Sequence, residues 1–469
     1  MTAPHLDPAA RSVDPESVDP ASPAAATISI GGAYRFFLPL IFMTELNMIS
    51  KSVIHAFLAR ADNPSVALAG FNVSFAFYYT VMSATELTML VSISYLRSRA
   101  ALKRIFLFLV LLLSPPFAFA MCVALTPLGD WVYGGIFGAS DAVVREARLA
   151  TLILGFSLPP LILRGVSFAL LMLNKRTTFI TAATAVRLAS LAGALFVLPA
   201  FLEGAAAGAA ALTLCMTFEG VFAFIFAWRH LRELPETDRA VDADTPRAGG
   251  RAAEGTPSMR RLWRFSWPLA LNQVSEPGVL VIINLFLGFL ANTDLALAAF
   301  GVTHGLVSLM FAPLRNLVQT GQTLTRSRED ARVLLRFALQ LVVGFTVLSI
   351  VLFHTGLSHT VLAGIMGLNP ELEAYVQPAM EIGFLMSLFW GLGALFRGWM
   401  AGARSTGTLA LTGGLRLSTS ALVVGVAAFH PDLNGAVLGL CAWIMAYVVE
   451  SIVLGLRLRS GVHLDRLGA

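Results

Sequence analysis

Carboxylates stand in the middle of two long apolar stretches, and they are the first residues of this sequence that could do chemistry. Glu45 lies in one stretch, and Glu276 lies in the other beside Asn272, Gln273 and Ser275. An ionisable group within an apolar span is costly to bury, so it marks a candidate functional site. A carboxylate with polar neighbours can hold a proton or Na⁺. We therefore predict an ion-coupling role for Glu45 and Glu276, with a structural role as the alternative.

Four arginines in apolar stretches supply the opposite charge. A guanidinium group matches the geometry of carboxylate and phosphate groups, so several of them in one half of a cavity would attract anions. The alternative is that they extend toward the surface or toward helix ends. The candidate substrate-binding residues are Arg164, Arg187, Arg397 and Arg416.

The composition indicates which elements position these charges. Of 469 residues, 57% are hydrophobic and 13% are charged, whereas a soluble domain carries about 25% charged residues. The sequence therefore predicts an all-α polytopic membrane protein. The net charge of +5 arises from arginines in short loops between apolar stretches, which is typical of cytoplasmic loops and not of nucleic-acid binding.

Twelve apolar stretches are long enough to cross ~30 Å of hydrocarbon as helices of about 20 residues. The basic loops all fall on one side, so the positive-inside rule predicts that both termini are cytoplasmic. The predicted spans lie near 32–58, 66–95, 104–126, 148–172, 177–201, 206–229, 262–290, 294–323, 333–356, 378–402, 407–429 and 434–457.

The chain also repeats itself. Residues 35–99 align with residues 264–328 at a constant offset of 229, which places RFFLPL on RFSWPL and RSR on RSR. Each half holds six predicted spans, so the two six-helix bundles are related by a pseudo-symmetry axis along the membrane normal, with a cavity between them. Such a duplication in a membrane-embedded chain is typical of secondary transporters.

Polar segments divide the chain around these bundles. The first segment is rich in Pro, Ala, Ser and Asp, as disordered tails are, and the central one has the Pro, Gly and charge content of a flexible connector. The predicted domains are a disordered tail 1–30, an N-terminal lobe 31–229, a cytoplasmic linker 230–261, a C-terminal lobe 262–458 and a cytoplasmic tail 459–469.

The repeat separates charges that both halves share from charges that they do not. Arg187 and Arg416 are equivalent, and Glu219 and Glu450 are nearly equivalent. One arginine and one glutamate on neighbouring helices predict an internal ion pair in each half. The alternative for these residues is a gate or a ring of charge at the cytoplasmic end.

One repeat position carries opposite charges in the two halves, Glu86 in the first and Arg315 in the second. If the halves face each other across the cavity, these residues would pair across the axis and act as a gate. Separate local pairing is the alternative.

The sequence contains none of the common catalytic motifs. It has no Gly-rich loop ending in GK[ST], no HExxH, no GxSxG and no cluster of metal ligands. We therefore predict no enzymatic activity, no catalytic residues, no metal and no cofactor. Transport would use an ion gradient, the membrane potential or the substrate gradient.

Several short motifs resemble those of a known family. They are RFFLPL at 35–40, WPLAL at 267–271, NLF at 284–286, GW at 398–399, LR at 415–416, and GAVLGL through VES at 435–451. Together with the two six-helix repeats, they resemble the progressive ankylosis (ANK) family of the MATE/MOP flippase superfamily. The resemblance implies export of small organic anions, a class that includes pyrophosphate, nucleotides such as ATP, and citrate.

A resemblance to the MATE transporters of the same superfamily would instead imply H⁺- or Na⁺-coupled efflux of cationic drugs. Some of those transporters use acids on helices 7 and 10, where Glu276 and Glu381 lie here. The N-terminal tail and the long linker depart from the animal ANK pattern.

Our leading hypothesis is a monomeric secondary transporter that exports a small phosphorylated or carboxylate anion by alternating access, with H⁺ or Na⁺ as a possible coupling ion. The Ala-, Arg- and Pro-rich composition suggests the inner membrane of a bacterium. The alternatives are a MATE-type cation antiporter and a flippase for a lipid-linked precursor, which would need a lateral groove between helices.

Overall fold

All regular structure is helical in the part of the chain that this computed structural model describes. The described ranges are 28–58, 63–137, 139–237, 256–368 and 370–459. Most of the predicted tail 1–30, half of the predicted linker 230–261 and nearly all of the predicted tail 459–469 lie outside these ranges.

Eight longer helices, with several short helical turns between them, form the first half, the N-terminal lobe. A 3₁₀ turn, Ser83–Glu86, joins the second helix to the third. The helices are α1 Ile30–Leu58, α2 Pro64–Val81, α3 Leu87–Tyr95, α4 Arg99–Leu125, α5 Asp141–Gly155, α6 Leu158–Leu173, α7 Thr178–Val197 and α8 Gly204–Glu233.

The C-terminal lobe has the same order of elements. Its 3₁₀ turn, Ala312–Asn316, again joins the second helix to the third. The helices are α9 Met259–Leu287, α10 Thr293–Phe311, α11 Leu317–Leu324, α12 Arg328–Phe353, α13 Pro370–Ile382, α14 Leu385–Gly402, α15 Thr406–Val424 and α16 Gly435–Arg459.

The helix boundaries extend the sequence repeat over both lobes. α1 and α9 correspond at both ends with the offset of 229, and α5 and α13 begin at positions related by the same offset. The last helices begin at Gly204 and Gly435, an offset of 231. Glu219 and Glu450 share that second offset, so they are strictly equivalent and the two additional residues lie in the connection before α16.

The apolar helices match a polytopic membrane fold. Eight of the described helical segments are individually long and apolar enough to span a membrane, and three bent pairs raise the number to eleven. The pairs bend by 56° between α2 and α3, 44° between α5 and α6, and 50° between α13 and α14. The twelfth predicted span is α1, which has 29 residues. Two bent spans begin earlier than predicted, at Asp141 and Pro370.

The two lobes share one hydrophobic core in the half of the bundle that carries the basic loops, which we name the basic end. Buried side chains such as Phe37 and Leu109 of the N-terminal lobe are continuous there with the core of the C-terminal lobe. In the opposite half, the N-terminal lobe has a separate core that includes Phe71 and Leu212. The lobes are therefore joined at the basic end and parted at the other.

Polar contacts between the lobes follow the same distribution. Gln322 Nε2 on α11 donates to the Leu90 carbonyl at 3.0 Å and to Ser94 Oγ at 2.7 Å. Deeper in the bundle, Asn316 Nδ2 donates to Thr44 Oγ1 at 2.7 Å. These hydrogen bonds, with aromatic contacts such as Tyr95 against Phe265 at 5.1 Å, close the basic end.

Candidate functional site

The N-terminal lobe buries one carboxylate between two arginines. Glu219 on α8 is fully buried, and its Oε2 lies 3.1 Å from Arg164 Nη1 and 3.5 Å from Arg187 Nη1. Thr184 Oγ1 donates to the other carboxylate oxygen at 3.0 Å. The predicted internal ion pair is confirmed in this lobe, and Arg164 joins it as a third member that the sequence did not indicate.

The C-terminal lobe contains the equivalent pair. Arg416 Nη1 on α15 lies 3.6 Å from Glu450 Oε2 on α16, and both side chains are fully buried. The second terminal nitrogen of Arg416 donates to the Asn272 carbonyl at 2.7 Å and to Ser275 Oγ at 2.5 Å. The predicted pair is therefore also confirmed here, and it links α15 and α16 to α9.

These contacts give Arg187 and Arg416 a structural role in this conformation, and their role in substrate binding stays a prediction. Arg416 has 0% of its surface exposed and Arg187 has 6%, and the terminal nitrogens of Arg416 are already bound within the lobe. A buried charge is tolerated when an opposite charge and hydrogen bonds compensate for its lost hydration. Arg187 and the terminal nitrogens of Arg416 hold helices together in this conformation, whereas Arg416 Nε has no acceptor in the described part of the protein.

Arg397 has a different environment. Its side chain on α14 is 7% exposed, and its guanidinium lies 5.7 Å from the centre of the Tyr447 ring. Arg416 contacts the same ring at 5.3 Å. Among the described residues, Arg397 has no carboxylate partner and no hydrogen-bond acceptor. Arg397 is thus a buried positive charge that contacts an aromatic ring and forms no ion pair within the described ranges.

Unsatisfied hydrogen-bond donors gather around Tyr447. Three buried nitrogens next to this ring lack an acceptor among the described residues: Arg397 Nε, Arg416 Nε and Trp390 Nε1. The Trp390 ring lies 5.8 Å from the Tyr447 ring. Buried donors are rarely left unpaired in proteins, so this group has the chemistry to receive an acceptor that the protein itself does not supply. We name Trp390, Arg397, Arg416 and Tyr447 the Tyr447 cluster.

The N-terminal lobe lacks this chemistry at the equivalent positions. Seven polar or aromatic residues in and around the C-terminal site have an apolar counterpart in the first half, whereas Arg416 corresponds to Arg187. The pairs are Asn272 and Met43, Ser275 and Leu46, His304 and Phe75, Trp390 and Leu161, Arg397 and Phe168, Trp443 and Leu212, and Tyr447 and Met216. The candidate site therefore belongs to the C-terminal lobe.

A second ion pair adjoins the Tyr447 cluster. Arg315 Nη2 lies 3.4 Å from Glu276 Oε2, with 39% of the arginine side chain and 20% of the glutamate side chain exposed. Glu276 also interacts electrostatically with Arg397 and Arg416. The cluster and this pair together hold three arginines and, with Glu450, two glutamates, so the site carries an excess positive charge.

The direct Glu86–Arg315 pair predicted across the axis is not formed in this conformation. Arg315, in the 3₁₀ turn Ala312–Asn316, pairs instead with Glu276 on α9 of its own lobe. Glu86 still contributes to the electrostatic environment of Arg315 and of Arg164. A gate formed by Glu86 and Arg315 in another conformation therefore stays a prediction.

Two carboxylates of the N-terminal lobe have no ion pair in the described ranges. Glu45 on α1 is partly buried, and Glu86 in the 3₁₀ turn is partly buried as well. Neither is among the described salt bridges or hydrogen bonds.

The remaining acidic candidate lies elsewhere. Glu381 accepts a hydrogen bond from Gln377 Nε2 at 3.1 Å near the bend between α13 and α14. No group of three or more His, Cys, Asp or Glu residues within the described ranges is arranged to hold a metal ion.

Sequence reasoning did not find Trp390 or Tyr447. The signal for both was present in the repeat, because each replaces an aliphatic residue or a methionine at the equivalent position. The comparison at Tyr447 requires the offset of 231, which becomes evident only when the start of α16 is known.

Solved structures share this architecture over almost the whole chain. The outward-facing conformation of a multidrug resistance MATE family transporter of the MOP superfamily aligns with a TM-score of 0.70 at 14% identity, covering 92% of this chain and 95% of that one. A MOP superfamily transporter from Pyrococcus furiosus, described by a reversed polarity of its binding pocket, aligns with a TM-score of 0.69 at 14% identity and covers 94% and 97%.

A Vibrio cholerae MATE transporter aligns with a TM-score of 0.65 at 16% identity, covering 93% of this chain and 98% of the other. No family model matches the sequence, and no curated protein matches it. The resemblance to the ANK family therefore stays a prediction. The likeness establishes the fold: this chain has the all-helical architecture of the MATE/MOP superfamily transporters.

Proposed function

We propose that this protein is a secondary transporter that exports a small organic anion, with the acidic group of the substrate bound at the Tyr447 cluster. The observation that carries this proposal is Arg397. Its guanidinium is buried without a carboxylate in the described part of the chain. A buried charge without an ion pair is costly even where a carboxylate such as Glu276 acts on it from a distance, and a substrate carboxylate or phosphate would supply a direct counter-charge.

The surrounding groups fit an anion with several oxygen atoms. The Nε–H of Arg397 and the Nε1–H of Trp390 lack acceptors, and oxygen atoms of a carboxylate or phosphate accept such hydrogen bonds strongly. Tyr447 holds the guanidinium groups of Arg397 and Arg416 on its ring. Aromatic packing of this kind fixes an arginine without neutralising it.

The coupling ion would bind on the opposite lobe. Glu45 and Glu86 have no ion pair in the described ranges and can accept H⁺ or Na⁺. Separation of an anion site on one lobe from a cation site on the other allows the two ligands to bias the same rearrangement of the lobes. Glu276, predicted as a coupling residue, would instead set the electrostatic environment of the substrate through Arg315.

The conformation is consistent with alternating access. We infer that the basic end is the cytoplasmic end, in accord with the positive-inside rule. The lobes are joined there and parted at the opposite end, so the site would face outward in this state. Export would then require the hydrogen bonds of Gln322 and Asn316 across the basic end to break and re-form in each cycle.

A cation antiporter is the second candidate. The observation that favours it is that Glu45 and Glu86 form no ion pair in the described ranges, because such carboxylates would also attract a cationic substrate. A multidrug MATE transporter is among the structures with this fold. In that case Arg397 would be structural and its loss would leave efflux of cations unchanged.

An untargeted comparison of metabolites tests the proposal. The medium of cells that express the protein is compared with the medium of cells carrying the empty vector, and enriched compounds are sorted by charge. Enrichment of carboxylates or phosphorylated compounds supports anion export. Enrichment confined to cationic compounds would select the antiporter.

A further inference from the structure

The N-terminal lobe contains an apolar groove whose lining shares no residue with the candidate site. The groove lies between α4, α6 and α8 and has a volume of about 660 Å³, within the range of ~300–1,000 Å³ typical of small-molecule sites. Its walls include Phe106, Phe117, Ile162, Val166 and Phe224. The groove is large enough for a specific apolar ligand.

The repeat explains why the helices at this groove stand apart, whereas their equivalents in the C-terminal lobe are in contact. In the C-terminal lobe, α12 packs directly on α14, where a Cβ atom added to Gly391 would lie 2.8 Å from Val342 Cγ2. The equivalent of Gly391 in the first half is Ile162. Because isoleucine has a branched side chain, α4 cannot approach α6 as closely as α12 approaches α14.

A hydrogen bond closes the C-terminal lobe at a second position. Thr346 Oγ1 on α12 and Ser387 Oγ on α14 are 2.6 Å apart. Their equivalents are Phe117 and Leu158, which both line the groove. The first half therefore replaces a polar contact between helices by two apolar side chains with a gap between them.

The groove has the depth of one membrane leaflet. It extends along α4 from Lys103 to Phe117, which corresponds to about 21 Å of helix at ~1.5 Å per residue. One leaflet of a bilayer contributes about half of the ~30 Å hydrocarbon core, and its polar region adds several ångströms. The groove therefore begins at headgroup depth at the basic end and ends near the midplane.

The charge at the basic end of the groove indicates which type of lipid headgroup would bind there. Lys103 is the charged member of the described lining, and it is exposed in the first turn of α4 between Arg99 and Arg104. Basic residues at this depth attract anionic lipid headgroups. The apolar walls behind Lys103 would meanwhile hold an acyl chain.

We propose that this groove, which we name the α4–α6 groove, binds one anionic phospholipid of the leaflet at the basic end, with its headgroup at Lys103 and an acyl chain between α4 and α6. The site is separate from the Tyr447 cluster and requires no assumption about the transported substrate. A bound lipid would fill the space that the C-terminal lobe fills by direct helix packing.

The test uses the full chain purified in detergent with equal amounts of phosphatidylglycerol and phosphatidylcholine, followed by native mass spectrometry. The wild type is expected to retain one phosphatidylglycerol in preference to phosphatidylcholine. Ser114→Trp, which fills the groove, is expected to lose it. Val343→Trp is the matched control, because Val343 is the exposed equivalent of Ser114 on α12 and does not line the groove.

The headgroup part of the proposal has its own variant. Lys103 is exposed, so Lys103→Gln leaves folding intact and is expected to reduce the preference for phosphatidylglycerol about fivefold, the effect of one basic residue at a membrane surface. Equal retention of the two lipids by the wild type, or undiminished lipid retention in Ser114→Trp, would overturn the proposal.

Discussion

Arg315 Nη2 and Glu276 Oε2 lie 3.4 Å apart, so a residue expected to form a gate and a residue expected to couple an ion form one ion pair. The pair is partly exposed and adjoins Arg397 and Arg416. A pair with this exposure can separate at lower cost than the fully buried pair of Arg416 and Glu450. We therefore assign the two ion pairs of this lobe different roles, adjustment of the site for the first and stability for the second.

Removal of Arg416 should destabilise the protein. Arg416→Gln leaves Glu450 buried without its partner, which typically costs about 3–5 kcal/mol. We expect a large fall in the thermal unfolding temperature and in the amount of protein in the membrane. The double variant Arg416→Gln with Glu450→Gln should recover much of that stability. Stability of the single variant equal to wild type would show that the pair is not structural.

Removal of Arg397 should not destabilise the protein. Arg397→Phe introduces the residue that the first lobe carries at the equivalent position, Phe168, and leaves no carboxylate unpaired in the described part of the chain. We expect a thermal unfolding temperature equal to or above that of the wild type. A loss of stability similar to that of Arg416→Gln would mean that Arg397 belongs to the structural network.

Glu276→Gln should change the kinetics of transport. Release of Arg315 from its partner increases the positive charge around the Tyr447 cluster, so the KM for the exported anion is expected to fall and kcat to fall with it as release slows. The measurement is the dependence of efflux on substrate concentration. Glu276→Asp, which retains the charge, is the control, and a rise in KM with unchanged kcat would contradict this role.

Glu45→Gln should uncouple transport from an ion gradient. Glu45 has no ion pair in the described ranges, so its loss removes a cation site without stranding an arginine. We expect efflux of the variant to become insensitive to collapse of the proton or Na⁺ gradient that drives the wild type. Glu373→Gln, whose carboxylate pairs with His359 at 2.7 Å, serves as the control. Unchanged sensitivity in Glu45→Gln would exclude Glu45 as the coupling residue.

A disulfide across the basic end should arrest transport. Ser94 Oγ and Gln322 Nε2 are 2.7 Å apart and belong to different lobes. In a background without Cys122, Cys215 and Cys441, the variant Ser94→Cys with Gln322→Cys is expected to cross-link and to stop efflux until it is reduced. Continued efflux by fully cross-linked protein would argue against separation of the lobes at this end.

The sequence predicted the features that the repeat encodes directly. The arginine–glutamate pair of each lobe followed from conserved spacing between the halves, because equivalent helices place equivalent residues together. Arg164 was assigned to the substrate although it pairs with Glu219. Arg164 follows a bend of 44° at Phe156 and Ser157. The direction of its side chain after such a bend could not be predicted from the sequence.

The partner of Arg315 could also not be predicted from the sequence. The opposite charges of Glu86 and Arg315 suggested a pair across the axis, but the choice between Glu86 and Glu276 depends on how far apart the lobes stand. The bundle is parted at one end, and this separation favours the partner within the lobe. The distance between the two lobes produces no periodic pattern in the sequence, so it could not be predicted.

The most direct test of anion binding at Arg397 is the export of metabolites by the wild type and by Arg397→Gln, with matched amounts of protein in the membrane. Arg332→Gln, an exposed arginine on α12, controls for the loss of a positive charge. We predict that anionic metabolites accumulate outside cells with the wild type and with Arg332→Gln, and that this accumulation disappears with Arg397→Gln. Equal export of anions by Arg397→Gln and the wild type would contradict the assignment.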